Sequence, residues 1–239
     1  MAENRIGRAI FKLSGEMFGN EKDHISFDQY SEVSLQILKL SEDTGVQIGI
    51  VLGGGNILRG RQANPEVDDT DADSMGMLAT VINGIGLREA LIRNGATDTR
   101  LMVPFDVHKF AEPYIRRKAI HHLENGRLVI IAGGMGVSGH STDSAVAHYA
   151  KELNCDIIFK LSNVDGVYDS DPNKNPEAKK YDQITYREAL VQDLRIMDQT
   201  AFTMCMESKI PIFVFNANDF NRIPDAINGD FSFGTLIHK

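Results

Sequence analysis

Four stretches of this chain are apolar almost from end to end: VQIGIVL (46–52), RLVIIAG (127–133), DIIFKL (156–161) and PIFVFN (211–216). A strand with one face in water alternates polar and apolar side chains, so runs without alternation belong to strands covered on both faces. Strand-like runs fall at Arg8–Leu13, Val46–Leu52, Arg100–Pro104, Arg127–Ala132, Asp156–Leu161 and Ile212–Asn216. Helical stretches lie between them. Ser26 with Gln29 forms a candidate capping box ahead of Val33, Ile37 and Leu40. Leu78, Ile82 and Ile85 repeat at helical spacing before Gly95 closes their helix, and Thr185 with Glu188 makes a second capping box. Strands alternating with helices predict an α/β fold, a three-layer αβα sandwich around a mostly parallel sheet.

No internal repeat and no low-complexity linker divides the chain, so residues 1–239 are expected to form one unit. The polar excursion DSDPNKNPEAKKYD (169–182) reads as a hairpin or lid within it. A net charge of −8 argues against nucleic acid or an anionic membrane as the main partner, though a local basic pocket can still serve small anions. Cys155 and Cys205, fifty residues apart, match neither a zinc site nor a disulfide framework and are expected as buried thiols in a reducing compartment. The N-terminal stretch has no signal-peptide layout and no apolar run approaches membrane-spanning length, which points to the cytoplasm.

Three strand ends carry the chemistry. The first closes on Lys12-Leu13-Ser14-Gly15-Glu16, the second on Gly53-Gly54-Gly55-Asn56 with Arg59 beyond, and a later one on AGGMGVSGHSTDS (132–144). Ligands of an open parallel sheet bind beyond the carboxyl ends of its strands, so the three loops are expected to share one crevice. Glycines there let backbone N–H groups approach and cradle an anion, and helix N-termini add positive potential. Arg59 adds a donor fork for phosphate oxygens. Each cluster alone is as well read as a tight turn; three together favour a phosphate site.

Other motifs fail on their context. Gly134-x-Gly136-x-x-Gly139 has the dinucleotide spacing, but the next strand carries Lys160 near its end where an acidic residue is needed. Asp169, Asp171 and Asn173 begin like a calcium loop, yet Lys174 and Lys180 occupy the positions of its glycine and glutamate. There is no P-loop motif, and the seven histidines show no metal-ligand spacing. His121 and His122 are expected to face solvent or satisfy a helix end, while His140 lies inside a glycine loop.

Taken together, KLSGE (12–16), GGGNILRG (53–60), MGMLATVINGIGLREAL (75–91), STDSA (141–145), VDGVY (164–168) with Asp171-Pro172, IMDQTAFT (196–203) and GTLI (234–237) resemble the amino acid kinase family. The helix at 75–91 and the segment at 196–203 resemble its uridylate kinase branch, and the likeness covers essentially the whole chain. The resemblance implies phosphoryl transfer from ATP to UMP, with Mg²⁺ accompanying ATP. It sets the ATP phosphates over Lys12, Leu13, Ser14, Gly15, Gly55 and Arg59, and the adenosine against Ser162, Asn163, Tyr168 and Asp171. It sets UMP against Gly54, Arg59, Asp73, Met135, Gly136, Val137, Ser138, Gly139, His140, Ser141 and Thr142. The N-terminal part would thus serve mainly the acceptor and the C-terminal part ATP.

Lys12 would be the main charge stabiliser and Lys160 its assistant, with Asp143 and Asp198 orienting the lysines or a metal-bound water. The same resemblance implies a homohexamer and a response to GTP and UTP. Two departures fall on the acceptor side: Val137-Ser138-Gly139-His140 stands where many members have Asn-Pro and two aromatics, and Ser74 where many have histidine. Two other readings stay open, a kinase of the same fold acting on a small carboxylate and a nucleotide-binding protein without catalysis. Asp73 weighs against the first, since a carboxylate acceptor calls for a cation.

Overall fold

The computed structural model describes residues 6–20, 22–58, 67–172 and 174–239. The expected strands are present as β1 (Arg8–Leu13), β2 (Gln47–Leu52), β3 (Arg100–Val103), β5 (Val129–Ile131), β6 (Ile157–Ser162) and β10 (Ile212–Asn216), with a two-residue β4 (Glu112–Pro113) beside β3. Two further short strands, β9 (Gln183–Thr185) and β11 (Gly234–His238), complete a nine-stranded sheet in the order β4-β3-β5-β2-β1-β6-β10-β11-β9. Among the described residues, only β10 and β11 pair antiparallel in that sheet. The excursion at 169–182 connects the arms of a hairpin, β7 (Val167–Tyr168) against β8 (Lys180–Tyr181).

Successive side chains of a strand point to opposite faces, and both faces of the central strands are buried. Ala9, Phe11 and Leu13 of β1 join Ile48, Ile50 and Leu52 of β2 in one core, under α1 (Phe27–Thr44), α2 (Asp69–Arg93) and α7 (Ile223–Ile227). Ile10, Val51, Val129, Ile158 and Val214 form the other, under α3 (Arg116–Glu124), α4 (Thr142–Glu152), α5 (Tyr186–Val191) and α6 (Gln199–Ser208). Two cores on opposite faces make the three-layer sandwich. Lys12 lies two positions past Ile10 on β1, so it shares the face of Ile10, which is the face covered by α4.

The helix signals are met unevenly. Thr185 and Glu188 form the capping box at the start of α5. Ser26 occupies the N-cap of α1 but makes no side-chain cap bond; the entry is tied by its backbone N–H to the Phe18 carbonyl at 2.9 Å. Helix α2 is longer than its apolar repeat suggested and is rotated from it: Leu78 and Ile82 are 52% and 45% exposed, while Ala79, Asn83, Gly84, Leu87 and Leu91 face inward. Around Gly84 the inner face takes small residues because the helix sits close to the sheet there; a Cβ on Gly84 would meet Leu101 Cδ1 at 2.7 Å. By length and composition α2 is apolar enough to cross a bilayer, but its inner face packs into the core and carries the buried, hydrogen-bonded Asn83. His122 is likewise buried rather than solvent-facing, packed beside Arg127 and Glu112.

Candidate active site

Lys12 on β1 and Lys160 on β6 are register partners on neighbouring parallel strands. Both ammonium groups reach the same carboxylate: Lys160 Nζ lies 2.9 and 3.0 Å from the Asp143 oxygens, and Lys12 Nζ 3.4 Å from Oδ1. Asp143 is delivered by the first turn of α4, where the Ser141 hydroxyl caps the helix by accepting the N–H groups of Asp143 and Ser144. Burial pushes the Asp143 carboxyl up, but the two ammonium groups outweigh it and hold the group below the usual carboxylate range. Burial lowers Lys160, against the pull of Asp143. Two cations sharing one carboxylate leave the trio net positive beside a helix N-terminus, which favours a polyanion.

Asp198 caps α6 by accepting the Ala201 N–H at 2.9 Å and also accepts the hydroxyls of Ser141 and Ser144. It therefore ties the starts of α4 and α6 together, and its charge is felt at Lys160. Its arrangement suits holding Asp143's helix in place rather than touching the lysines.

The two N-terminal glycine loops lock into each other. A Cβ on Gly15 would meet Gly55 N at 2.5 Å and Gly53 O at 3.0 Å, so no larger residue fits there. Behind them, Asn83 Nδ2 donates to the Gly53 carbonyl at 2.8 Å and to Asn56 Oδ1 at 2.8 Å, and Asn83 Oδ1 accepts the Tyr30 hydroxyl at 2.7 Å. Gly55 differs: a Cβ there would meet nothing within 4 Å, so the described chain gives no packing reason for glycine. Gly54 packs on α2 instead, its Cβ position lying 2.9 Å from Ala79 Cβ.

The third loop is fixed from three sides. Gly133, Gly134, Gly136 and Gly139 all have positive φ, from 55° to 88°, which lets the loop double back. Gly133 N–H donates to Thr80 Oγ1 at 2.6 Å, the Gly134 carbonyl accepts the Tyr149 hydroxyl at 2.9 Å, and Gly139 N–H donates to Asp73 Oδ2 at 2.6 Å. Asp73 and the segment Met135, Gly136, Val137, Ser138, Gly139, His140, Ser141 and Thr142 thus form one wall, with Val137 and His140 exposed on it.

On the other side, Ser162, Tyr168 and Asp171 line a cavity of about 510 Å³ with Lys160 in its wall. Ser14, Ser162 and Asn163 line a smaller recess beside it. Leu13 contributes no side chain to the site, being packed in the α1 and α2 core; its carbonyl accepts the Gly53 N–H at 2.9 Å. Arg59 lies outside the described residues. Sequence reasoning missed Gln192, Asp193 and Arg195, which reach the 510 Å³ cavity from the loop between α5 and α6. The one local signal is Asp193's left-handed backbone, φ 51°, which no sequence pattern announces.

The model of the amino acid kinase family matches residues 7–216. The chain belongs to the amino acid kinase family. That match spans β1 to β10, and so includes every lysine and glycine loop described above as well as the caps of α4 and α6. Among solved structures of similar proteins is UMP kinase from Bacillus anthracis, 34% identical with a TM-score of 0.93, the alignment covering 98% of this chain and 97% of that one. UMP kinase from Ureaplasma parvum is 36% identical with a TM-score of 0.91, covering 98% of this chain and 100% of that one. Uridylate kinase from Archaeoglobus fulgidus, at 22% identity and a TM-score of 0.69 over 96% of this chain and 99% of that one, shares the fold. The segment Val137-Ser138-Gly139-His140 is attached to Asp73 through the backbone N–H of Gly139, a contact that does not depend on its side chains.

Proposed function

We propose that the chain transfers the γ-phosphoryl group of ATP to UMP, giving ADP and UDP. The observation that carries this reading is the Lys12–Asp143–Lys160 cluster, with the 510 Å³ cavity on one side and the Asp73–Gly139 contact on the other. Similarity to UMP kinases over nearly the whole chain, at 34% and 36% identity, supports the acceptor. Phosphoryl transfer asks a protein mainly to align donor and acceptor and to neutralise charge on the moving group. Lys12 and Lys160 supply that charge. Asp143 holds both ammonium groups at fixed positions, so they are preorganised before the charge develops. Asp198 fixes Asp143 in turn, by joining the first turns of α4 and α6. Because UMP's phosphate is itself an anionic nucleophile, no side chain is needed as a general base.

Asp73 accepts hydrogen bonds from the ribose hydroxyls, and its carboxylate at the acceptor end disfavours an amino-acid-type acceptor. Among the described residues no cluster of three histidine, cysteine or acidic side chains could hold a metal by itself. Mg²⁺ would arrive with ATP and would neutralise charge on its phosphates. Exposed Met75, Leu78 and Ile82 on α2 support assembly of several copies, and a homohexamer is the form we propose. A cytoplasmic location follows from the substrates and from two buried thiols. GTP and UTP are proposed effectors. The test is ADP release from Mg·ATP with UMP, CMP, AMP, acetylglutamate and aspartate as acceptors. Turnover with UMP is expected; turnover with a carboxylate alone, or with none, refutes the reading.

A further inference from the structure

The hairpin over the 510 Å³ cavity is held by a charged triad that touches the cavity through only one ring. Tyr168, on β7, lines the cavity. Its hydroxyl donates to Asp165 Oδ1 at 2.6 Å, and Asp165 Oδ2 accepts Lys180 Nζ at 3.2 Å. Lys180 sits on β8, directly paired with Tyr168. Asp165, in the bend just before β7, therefore joins both arms of the hairpin through its carboxylate, one oxygen to each. Gly166 lets the turn close over this arrangement: a Cβ there would meet Lys180 Cδ at 3.0 Å and Thr235 Oγ1 at 2.5 Å. Thr235, on β11, also accepts the Val167 N–H at 2.8 Å and donates to the Tyr181 carbonyl, anchoring both arms to the main sheet.

An aromatic side chain at a cavity wall has two torsions to settle: a tether at the Tyr168 hydroxyl fixes the first, and because a phenolic O–H prefers the plane of its ring, the direction of the bond to Asp165 biases the second. A flat ring held in place offers a nucleobase a stacking surface without the entropy loss of ordering it on binding. We propose that Asp165 is a positioning residue for the donor nucleotide: with Lys180 it holds the Tyr168 ring in place as the platform on which the purine of ATP stacks. This rests on the reading of the cavity as the donor site. Asp165 itself does not line the cavity, so its effect passes through Tyr168.

The experiment is calorimetric titration of the full chain with Mg·ATP and, separately, with magnesium tripolyphosphate, which has the phosphates and no base. Tyr168→Phe keeps the ring and removes the tether; Asp165→Ala removes its anchor. Each is expected to weaken ATP binding roughly three- to tenfold, at or below the lower end of one base stacking contact because the ring itself remains, and to leave tripolyphosphate within about twofold. The double variant should bind no more weakly than Asp165→Ala alone, since Tyr168→Phe breaks a bond that Asp165→Ala has already removed. Unchanged ATP affinity in Tyr168→Phe would overturn the proposal, as would a parallel loss of tripolyphosphate or additive losses in the double variant. If Asp165→Ala fails to fold, Tyr168→Phe decides alone. Binding is read without turnover, so failure to phosphorylate UMP leaves this test intact. Wild-type protein that binds tripolyphosphate as tightly as ATP would instead remove the donor-site reading beneath it.

Discussion

Lys12 and Lys160 stand opposite each other on adjacent parallel strands, and a single carboxylate, Asp143, reaches both ammonium groups. Removing either cation should be felt mainly in the transition state, where charge on the transferring group is greatest. Lys12→Ala is expected to lower kcat by roughly 10²–10³, the scale for losing one preorganised charge stabiliser. Steady-state ADP release checks it; unchanged turnover would take Lys12 out of the mechanism.

Asp143 also carries a pH signature. Its folded-state carboxyl binds a proton less tightly than a free carboxylate does, so its contribution to stability is present above the ordinary carboxylate range, near pH 4, and disappears as pH falls below it. Urea midpoints at pH 7 and pH 3 should therefore differ less in Asp143→Asn than in the wild type. A variant that loses as much stability on acidification as the parent would show that the pair with the lysines contributes nothing to it.

Gly15 and Gly55 are glycines for different reasons, and alanine separates them. Gly15→Ala drives a methyl into the Gly55 backbone and should cost about 1–3 kcal/mol of stability. Gly55→Ala finds open space, so its stability should stay within about 0.5 kcal/mol while Mg·ATP binding weakens. Chemical denaturation with nucleotide titration measures both. Equal destabilisation by the two would mean that Gly55 is a packing residue.

The buried amide pair offers a test away from the lysines. Asn83→Ala strips partners from the Gly53 carbonyl, Asn56 and the Tyr30 hydroxyl, and should destabilise the fold by about 1–3 kcal/mol. A denaturation midpoint indistinguishable from wild type would count against the network as the brace of the glycine loop.

Burial pushes the thiols of Cys155 and Cys205 up to about 12, so neither is a ready nucleophile. Iodoacetamide at neutral pH should label native protein slowly and urea-unfolded protein fast, on both residues by mass spectrometry. Rapid labelling of the folded chain at either position would show that it opens there.

Much of this architecture was legible because burial on both faces leaves a continuous apolar run. VQIGIVL and DIIFKL could be placed as central strands from composition alone. The short strands at Glu112–Pro113 and Gln183–Thr185 could not, because two or three residues carry no period. Helix α2 misled for a related reason. Leu78 and Ile82 suggested the inward stripe, but the inner face is set by Leu87 and Leu91 together with Ala79 and Gly84, which are small where the helix comes closest to the sheet.

What the sequence determined by itself was the list of reactive groups and the strand ends that carry them: Lys12, the three glycines at 53–55, Asp73, Asp143 and Lys160 are local facts of the chain. Which of these meet was decided only by the tertiary structure. Sheet order set Lys12 beside Lys160 although 148 positions separate them, helix α4 brought Asp143 between them, and a backbone hydrogen bond joined Gly139 to Asp73. Distances of this kind depend on how strands pair and helices cross, and neither is written in any one segment of the chain.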